Sequence, residues 1–111
     1  MSQPLPQSSP MPMDPESMKE HALEASRLLK ALANESRLMV LCSLCEREMS
    51  VGELNARVPL SQSALSQHLA RLRARGMVQT RRMGQTIYYS LPETEAVDII
   101  RLLHDLYCPN V

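Results

Sequence analysis

The sequence predicts a mainly α-helical domain that carries a small β-hairpin, with four helices before the hairpin and one after it. Apolar residues recur at three- and four-residue intervals from Pro15 to Cys45 and again from Pro92 to Tyr107, which is typical of helices with one buried face. Between these stretches, residues 77–82 and 85–91 are rich in β-branched and aromatic residues and are joined through Met83-Gly84. Polar residues suited to helix caps separate the helical segments.

The length and composition indicate one globular domain with a polar arm. The chain has 111 residues, 44% of them apolar, and no apolar run approaches the length of a membrane span. Five of the eight prolines fall within residues 1–15, which we expect to form a flexible arm. The folded domain is predicted over residues 16–108, followed by a short tail, 109–111. With no signal peptide recognised, a cytoplasmic location is expected.

The first three helices are marked by local capping signals. The first helix is predicted over Pro15–Leu32, and Asn34 is suited to cap the second. Ser50 and Glu53 form the capping-box pattern, in which each side chain accepts a hydrogen bond from the other residue's backbone. This pattern predicts a short third helix over Val51–Val58, because the next residue is a proline.

The segment "LSQSALSQHLARLRARG" predicts the fourth helix most clearly. Ser61 is its expected N-cap and Gly76 is expected just beyond its C-terminal end. Leu65, Leu69 and Leu72 form one apolar face. Because only the short turn "VPLS" separates this helix from the third, the pair is a helix-turn-helix candidate and the β-hairpin that follows is its wing.

The polar face of the fourth helix and the basic residues around it favour double-stranded DNA as the partner. The uncharged polar residues near its N-terminal end are Gln62, Ser63, Ser66 and Gln67. The segment from Ser61 to Gln85 contains no acidic residue and five arginines, namely Arg71, Arg73, Arg75, Arg81 and Arg82. Such side chains suit hydrogen bonds to base edges and attraction to phosphates, so affinity is expected to fall steeply with salt.

The last helix, predicted from the first turn at Pro92 to about Tyr107, is apolar over much of its circumference. A monomer of this size would leave part of that surface in water. We therefore expect a homodimer formed through this helix and the first one.

Four segments of this sequence resemble the ArsR/SmtB family of dimeric winged-helix repressors. They are "LLKALANESRLMVLCSL", "MSVGEL", "LSQSALSQHLARLRARGMV" and "RRMGQTIYYSL", and the resemblance covers roughly residues 22–108. It implies a winged helix-turn-helix of four helices, a wing and a dimerising helix, bound to an inverted-repeat operator and released by an inducer. It also implies DNA contacts by Gln62, Ser63, Ser66 and Gln67, to which we add the arginines Arg71, Arg81 and Arg82 as phosphate contacts.

The metal-binding sites of the family that this sequence resembles are not matched by its residues. Arsenic and cadmium sensors of the family carry a Cys-x-Cys at the start of the third helix, where this chain has Ser50 and Gly52. The positions that match the zinc ligands of the last helix hold Glu93, Glu95, Leu106 and Pro109. Two ligands are therefore lost at one end of that site, and we predict no metal and no cofactor.

The cysteines resemble instead those of a smaller branch, the dithiol sensors of persulfides and oxidants that include BigR-type, SqrR-type and HlyU-type regulators. That branch has one cysteine in the second helix and one at the end of the last, which correspond to Cys42 and Cys108. The resemblance implies that a disulfide or polysulfide between them weakens operator binding. Cys45 has no counterpart and is interpreted as a small core residue.

Other functions remain as alternatives at this point. Cys42, Cys45 and Cys108 together could bind arsenite or another thiophilic metalloid. The same DNA-binding elements would also serve an activator or anti-silencer, depending on the position of the operator. An enzyme is not expected, because the sequence has no Gly-x-Ser-x-Gly motif, no phosphate-binding glycine loop and no histidine spaced with a nucleophile or a carboxylate.

Overall fold

The structure, a computed structural model, describes residues 14–107, and over this range the predicted order of elements is confirmed with one added strand. The elements are α1 (Pro15–Leu32), α2 (Glu35–Glu46), β1 (Met49–Ser50), α3 (Val51–Arg57), α4 (Gln62–Ala74), β2 (Gln79–Met83), β3 (Thr86–Ser90) and α5 (Glu95–Tyr107). The predicted arm, residues 1–15, lies outside this range except for its last two residues.

Side-chain caps start the first four helices, and the three that were predicted are confirmed. The side chains of Asn34 and Ser61 each accept a hydrogen bond from a backbone N–H in the first turn of α2 and α4. At α3 the Ser50 hydroxyl accepts from the N–H of Glu53, and the Glu53 carboxylate accepts from the N–H of Ser50 at 2.9 Å. Asp14 caps α1 in the same way. These local bonds fix the helix starts independently of packing.

The C-terminal end of α4 is closed by a glycine in the left-handed region, as predicted. Gly76 has φ 73° and donates its N–H to the carbonyl of Arg73. The next N–H, of Met77, donates to the carbonyl of Leu72 at 2.9 Å. This pair of bonds is the Schellman arrangement, which turns the chain sharply away from the helix. The chain therefore leaves α4 directly into the wing.

The wing is the predicted hairpin, but it belongs to a three-stranded antiparallel sheet in the order β1-β3-β2. The two-residue loop of β2 and β3 starts at Gly84, whose φ of 65° suits a tight hairpin turn. β1 pairs Met49 with Tyr89 and Ser50 with Tyr88. A two-residue strand is too short to show an alternating pattern, which is why it was not predicted.

The start of α5 corrects the sequence prediction, since the helix begins at Glu95 and not in a first turn at Pro92. Before it, the N–H of Thr94 donates to the Pro92 carbonyl, and the N–H of Val97 donates to the Thr94 carbonyl. Proline fixes φ in a range that suits a turn as well as a helix, so its position alone did not locate the helix start.

One core joins α2, the helix-turn-helix and α5. Its largest side chains with no more than about 2% exposure are Leu41, Met49, Leu54, Leu65, Leu69, Leu72, Met77 and Ile100. The predicted apolar face of α4 (Leu65, Leu69 and Leu72) lies in this core, which confirms the orientation of the helix. The opposite side of α4 therefore faces solvent.

α1 and the end of α5 leave large apolar side chains exposed. α1 buries only Ala31 and Leu32. The exposed large apolar residues of these two helices are Met18, Leu23, Leu29, Leu102, Leu106 and Tyr107, each more than half exposed. No helix among residues 14–107 is long and apolar enough to span a membrane. This surface is the part of the chain that was expected to form a dimer.

Candidate nucleic-acid interface and thiol groove

The exposed side of α4 brings four of the predicted DNA-contacting residues together. Gln62, Ser63, Ser66 and Gln67 are all exposed, while Leu65 between them is buried in the core. The buried leucine side fixes the rotation of the helix, so the polar residues form one solvent-facing surface near its N-terminal end. This arrangement suits a helix whose first turns contact base edges in the major groove.

The predicted phosphate contacts fall into two groups. Arg71 is exposed one turn beyond Gln67 on α4, and Arg82 is exposed on β2. No carboxylate of residues 14–107 forms an ion pair with either side chain. Both guanidinium groups are therefore available to an anionic partner.

Arg81 differs from these two because its guanidinium is engaged within the chain. Its Nε and Nη2 donate to the two carboxylate oxygens of Glu48, each at 2.8 Å, and its Cζ atom lies 5.2 Å from the centre of the Tyr88 ring. The Glu48 carboxylate raises the pKa of Arg81. Since a bidentate pair has one preferred geometry, it ties the wing to the segment before β1. The structure therefore gives Arg81 a role in positioning the wing, and its contact with DNA stays a prediction.

Exchanging the charges of Arg81 and Glu48 distinguishes two roles of Arg81, namely positioning the wing and contacting a DNA phosphate. Arg81→Glu alone should lower affinity for duplex DNA about tenfold or more, because it places two carboxylates together at the wing. If Arg81 acts mainly through Glu48, Glu48→Arg in the same chain should restore most of that affinity in fluorescence anisotropy. A double variant no better than Arg81→Glu would show that the charge of Arg81 itself contacts the DNA.

His68 lies on α4 beside this surface, half-buried. Its Nδ1 is buried and has no hydrogen-bond partner among residues 14–107. Burial, followed by the nearby charges of Arg37 and Arg71, lowers the pKa of His68 below its ordinary value. The lowered pKa favours the neutral imidazole, and the positive charges of Arg37 and Arg71 add to the effect of burial.

Cys42 opens into an apolar groove between α2 and α5. The groove has a volume of about 320 Å³ and is lined by Glu35, Leu38, Met39, Cys42, Leu103 and Tyr107. Cys108, the predicted partner of Cys42, lies outside the described residues. Tyr107 precedes it directly in the sequence. The structure therefore brings Cys42 to the end of α5 that leads into Cys108.

Cys45, one turn after Cys42 on α2, packs against the hydrophobic core and is half-buried. This position agrees with its interpretation as a small core residue. The two cysteines of α2 thus have different surroundings. Cys42 lines the groove at α5, and Cys45 packs against the core.

A network of titratable side chains that the sequence did not predict connects the end of α5 with the helix-turn-helix. His104 Nε2 on α5 lies 3.7 Å from a carboxylate oxygen of Glu46, at the end of α2. Arg57 on α3 holds the same carboxylate with two bonds of 2.9 and 3.1 Å, and it is the largest cause of the lowered pKa of Glu46. These residues are distant in sequence, so no local pattern could have indicated the network.

One of the family's metal positions has another role in this chain. Ser50, at the position of the first thiol of the arsenic sensors, caps α3 with its hydroxyl. Within the part of the chain that the structure describes, no group of three His, Cys, Asp or Glu residues is placed to hold a metal ion.

Comparison with known proteins supports a regulatory function. The profile of the arsR family of bacterial regulatory proteins matches residues 34–80. The transcriptional activator HlyU of Vibrio cholerae is 55% identical over 97 residues, which are 87% of this chain and 90% of that protein. The crystal structure of the transcriptional repressor BigR from Xylella fastidiosa superimposes with a TM-score of 0.79 at 41% identity, covering 86% of this chain and 94% of that one.

A further solved structure resembles the chain in fold and is described as a dimer. It is the homodimeric winged helix-turn-helix DNA-binding domain of Mb0332 from Mycobacterium bovis, a possible ArsR-family regulator. The TM-score is 0.69 at 25% identity, with 86% of this chain and 89% of that one covered.

Proposed function

Since this chain belongs to the arsR family of bacterial regulatory proteins, we propose that it is a homodimeric operator-binding transcription regulator that responds to persulfides and oxidants in the cytoplasm. Its affinity for DNA falls when Cys42 and Cys108 are linked. The observation that carries the thiol part of the proposal is the groove between α2 and α5, where Cys42 meets Leu103 and Tyr107 at the end of α5.

The DNA-binding step uses α4 and the wing. The exposed polar side chains of α4 (Gln62, Ser63, Ser66 and Gln67) contact base edges, while Arg71 and Arg82 contact phosphates. A dimer presents two such helices, so it matches an inverted-repeat operator with half-sites one helical turn apart, roughly 34–36 Å. Whether release activates or silences a gene then depends on where the operator lies, and the relatives include a named activator and a named repressor.

The dimer forms through the exposed apolar surface of α1 and α5, and the solved Mb0332 domain, which has the same fold, is described as homodimeric. Moving a fully exposed Leu or Met side chain out of water contributes roughly 1.5–3 kcal/mol, so these side chains, which are a little more than half exposed, each contribute roughly half of that. A partner that covers the six exposed side chains named above removes their apolar surface from water. The groove that holds Cys42 ends at Tyr107 on α5, which is one of the two helices of this dimer surface. A change at the thiols therefore acts beside the dimer surface.

The chemistry at the thiols requires only an external sulfur donor or oxidant. The thiolate of Cys42 takes the outer sulfur of a low-molecular-weight persulfide and releases the corresponding thiol. Attack by the Cys108 thiolate on the Cys42 sulfur then closes a disulfide and releases hydrogen sulfide. If Cys108 has also become a persulfide, the product is a trisulfide with the same leaving group. With an oxidant such as diamide, two electrons and two protons pass to the oxidant and a disulfide results.

The network of His104, Glu46 and Arg57 offers a route from the bridge to the helix-turn-helix. His104 lies on the last turns of α5, and Arg57 belongs to α3, which packs beside the recognition helix α4. A bridge that shifts the end of α5 changes the distance from His104 to Glu46. The carboxylate that anchors α3 responds to that shift, and a small movement at the thiols thereby reaches the DNA-binding surface.

The bond can be tested by intact mass and peptide mapping of the reduced protein treated with glutathione persulfide or with diamide. We expect a bridge between Cys42 and Cys108 in the wild type and in Cys45→Ser, and none in Cys42→Ser or Cys108→Ser. Loss of the bridge in Cys45→Ser, or none in the wild type, would contradict the dithiol proposal. Arsenite bound by all three thiols would then favour a metalloid sensor.

A further inference from the structure

A basic cleft lies on the flank of the recognition helix, where the ends of α1 and α4 meet the start of α2. It has a volume of about 520 Å³ and is lined by Lys30, Ala31, Arg37, Arg71, Leu72, Ala74 and Arg75. Four of these seven residues are cationic and none is acidic. We call this the basic cleft. Only Arg71 among its cations was predicted to contact DNA.

The cations of the basic cleft are not neutralised by carboxylates of residues 14–107. Arg37 Nε donates to the carbonyl of Ala31 at 2.7 Å, so the backbone holds it at the cleft. No ion pair joins Lys30, Arg71 or Arg75 to an acidic side chain within that range. Gathering like charges costs electrostatic free energy, and an anion between them would lower this cost.

The same positive potential reaches a neighbouring titratable group. The charges of Arg37 and Arg71 add to burial in lowering the pKa of His68, which stands on α4 beside the cleft. The titration of His68 therefore gives a built-in measure of whether the basic cleft is occupied.

The basic cleft continues the surface predicted to contact DNA. Gln67 and Arg71 on α4 and Arg75 at its C-cap follow one another at four-residue spacing, so they lie along one strip of the helix surface. A helix in the major groove has the sugar-phosphate strands along its flanks. In the proposed binding mode, the N-terminal end of this strip is turned to the bases and the cationic end to the adjoining sugar-phosphate strand.

We propose that the basic cleft binds a backbone phosphate of the operator beside the recognition helix, and so extends the DNA contact to α1 and α2. The inference rests on the proposed binding to DNA. The ligand is a phosphate oxyanion held by Lys30, Arg71 and Arg75, with Arg37 fixed behind them. This contact carries no base sequence information, because phosphates are the same along the duplex.

Removing the cleft's cations one at a time tests this contact. Arg75→Ala and Lys30→Ala should each weaken binding about three- to tenfold, equally for an operator duplex and for a scrambled duplex, and each should reduce the salt slope by about one. Arg73→Ala is the matched control, since it removes the same charge from the same turn of α4 but does not line the cleft. Equal losses in Arg73→Ala and Arg75→Ala would overturn the assignment.

NMR titration of His68 distinguishes the possible sources of the phosphate. Bound duplex should raise the pKa of His68 in the wild type and much less in Arg75→Ala, since a nearby anion favours the charged imidazole. If inorganic pyrophosphate raises it while Arg75→Ala leaves DNA affinity unchanged, the ligand is a free anion and the DNA assignment is wrong. If duplex binds the wild type without moving His68, the cleft binds no phosphate although the proposed function stands.

Discussion

Leu102→Glu is expected to dissociate the dimer and to weaken operator binding about 100-fold or more. Leu102 is 58% exposed in the single chain, on the apolar side of α5. A glutamate there would place a charge in the interface that we propose, at a large desolvation cost. Two linked recognition helices bind far more tightly than one, and dissociation removes this advantage. Analytical ultracentrifugation and fluorescence anisotropy measure the two effects.

Leu102→Met is the matched control, because it keeps the volume and the apolar character and should remain dimeric. Circular dichroism should show an unchanged helix content in Leu102→Glu, since Leu102 lies outside the buried core. A Leu102→Glu protein that stays dimeric at micromolar concentration would place the interface elsewhere.

Leu69→Ala is expected to destabilise the domain by about 2–5 kcal/mol, a large part of the stability of a domain of this size. Leu69 is fully buried, on the side of α4 that faces the core. Removing most of its side chain leaves a cavity between the recognition helix and its support. Operator affinity should fall as well, because the rotation of α4 is no longer fixed. Urea unfolding at one fixed protein concentration measures the change.

Met83→Ala provides the comparison, since it truncates an apolar side chain of similar size at the tip of the wing, where it is 57% exposed. Its unfolding midpoint should lie close to that of the wild type. A loss as large as that of Leu69→Ala would mean that the wing packs against something beyond this single chain.

Sequence reasoning located the features that depend on neighbouring residues. Asn34, Ser50 and Ser61 cap helices by accepting a hydrogen bond from the backbone N–H three residues ahead. Gly76 ends α4 because a glycine readily adopts the positive φ that this position requires. Periodicity was enough to identify the buried leucines of α4, and through them the exposed face beside them.

The features that sequence reasoning missed depend on contacts between distant segments. The strand β1 exists only because β3 lies next to it. The pair of Arg81 and Glu48 joins residues 33 positions apart, and it gives a residue predicted for DNA contact a bond within the chain. The basic cleft likewise requires α1, α2 and α4 to meet. In each case the tertiary arrangement, and not local propensity, determines the partner.

The most direct test of the proposed regulation compares operator binding by the reduced protein and by the protein whose Cys42–Cys108 bridge has been confirmed by mass. Fluorescence anisotropy with an operator duplex selected from random sequences gives both affinities at the same salt concentration. We expect the bridged protein to bind about 5- to 150-fold more weakly, with full recovery after reduction and the same behaviour in Cys45→Ser. Equal affinity of the bridged and reduced proteins would contradict a thiol switch.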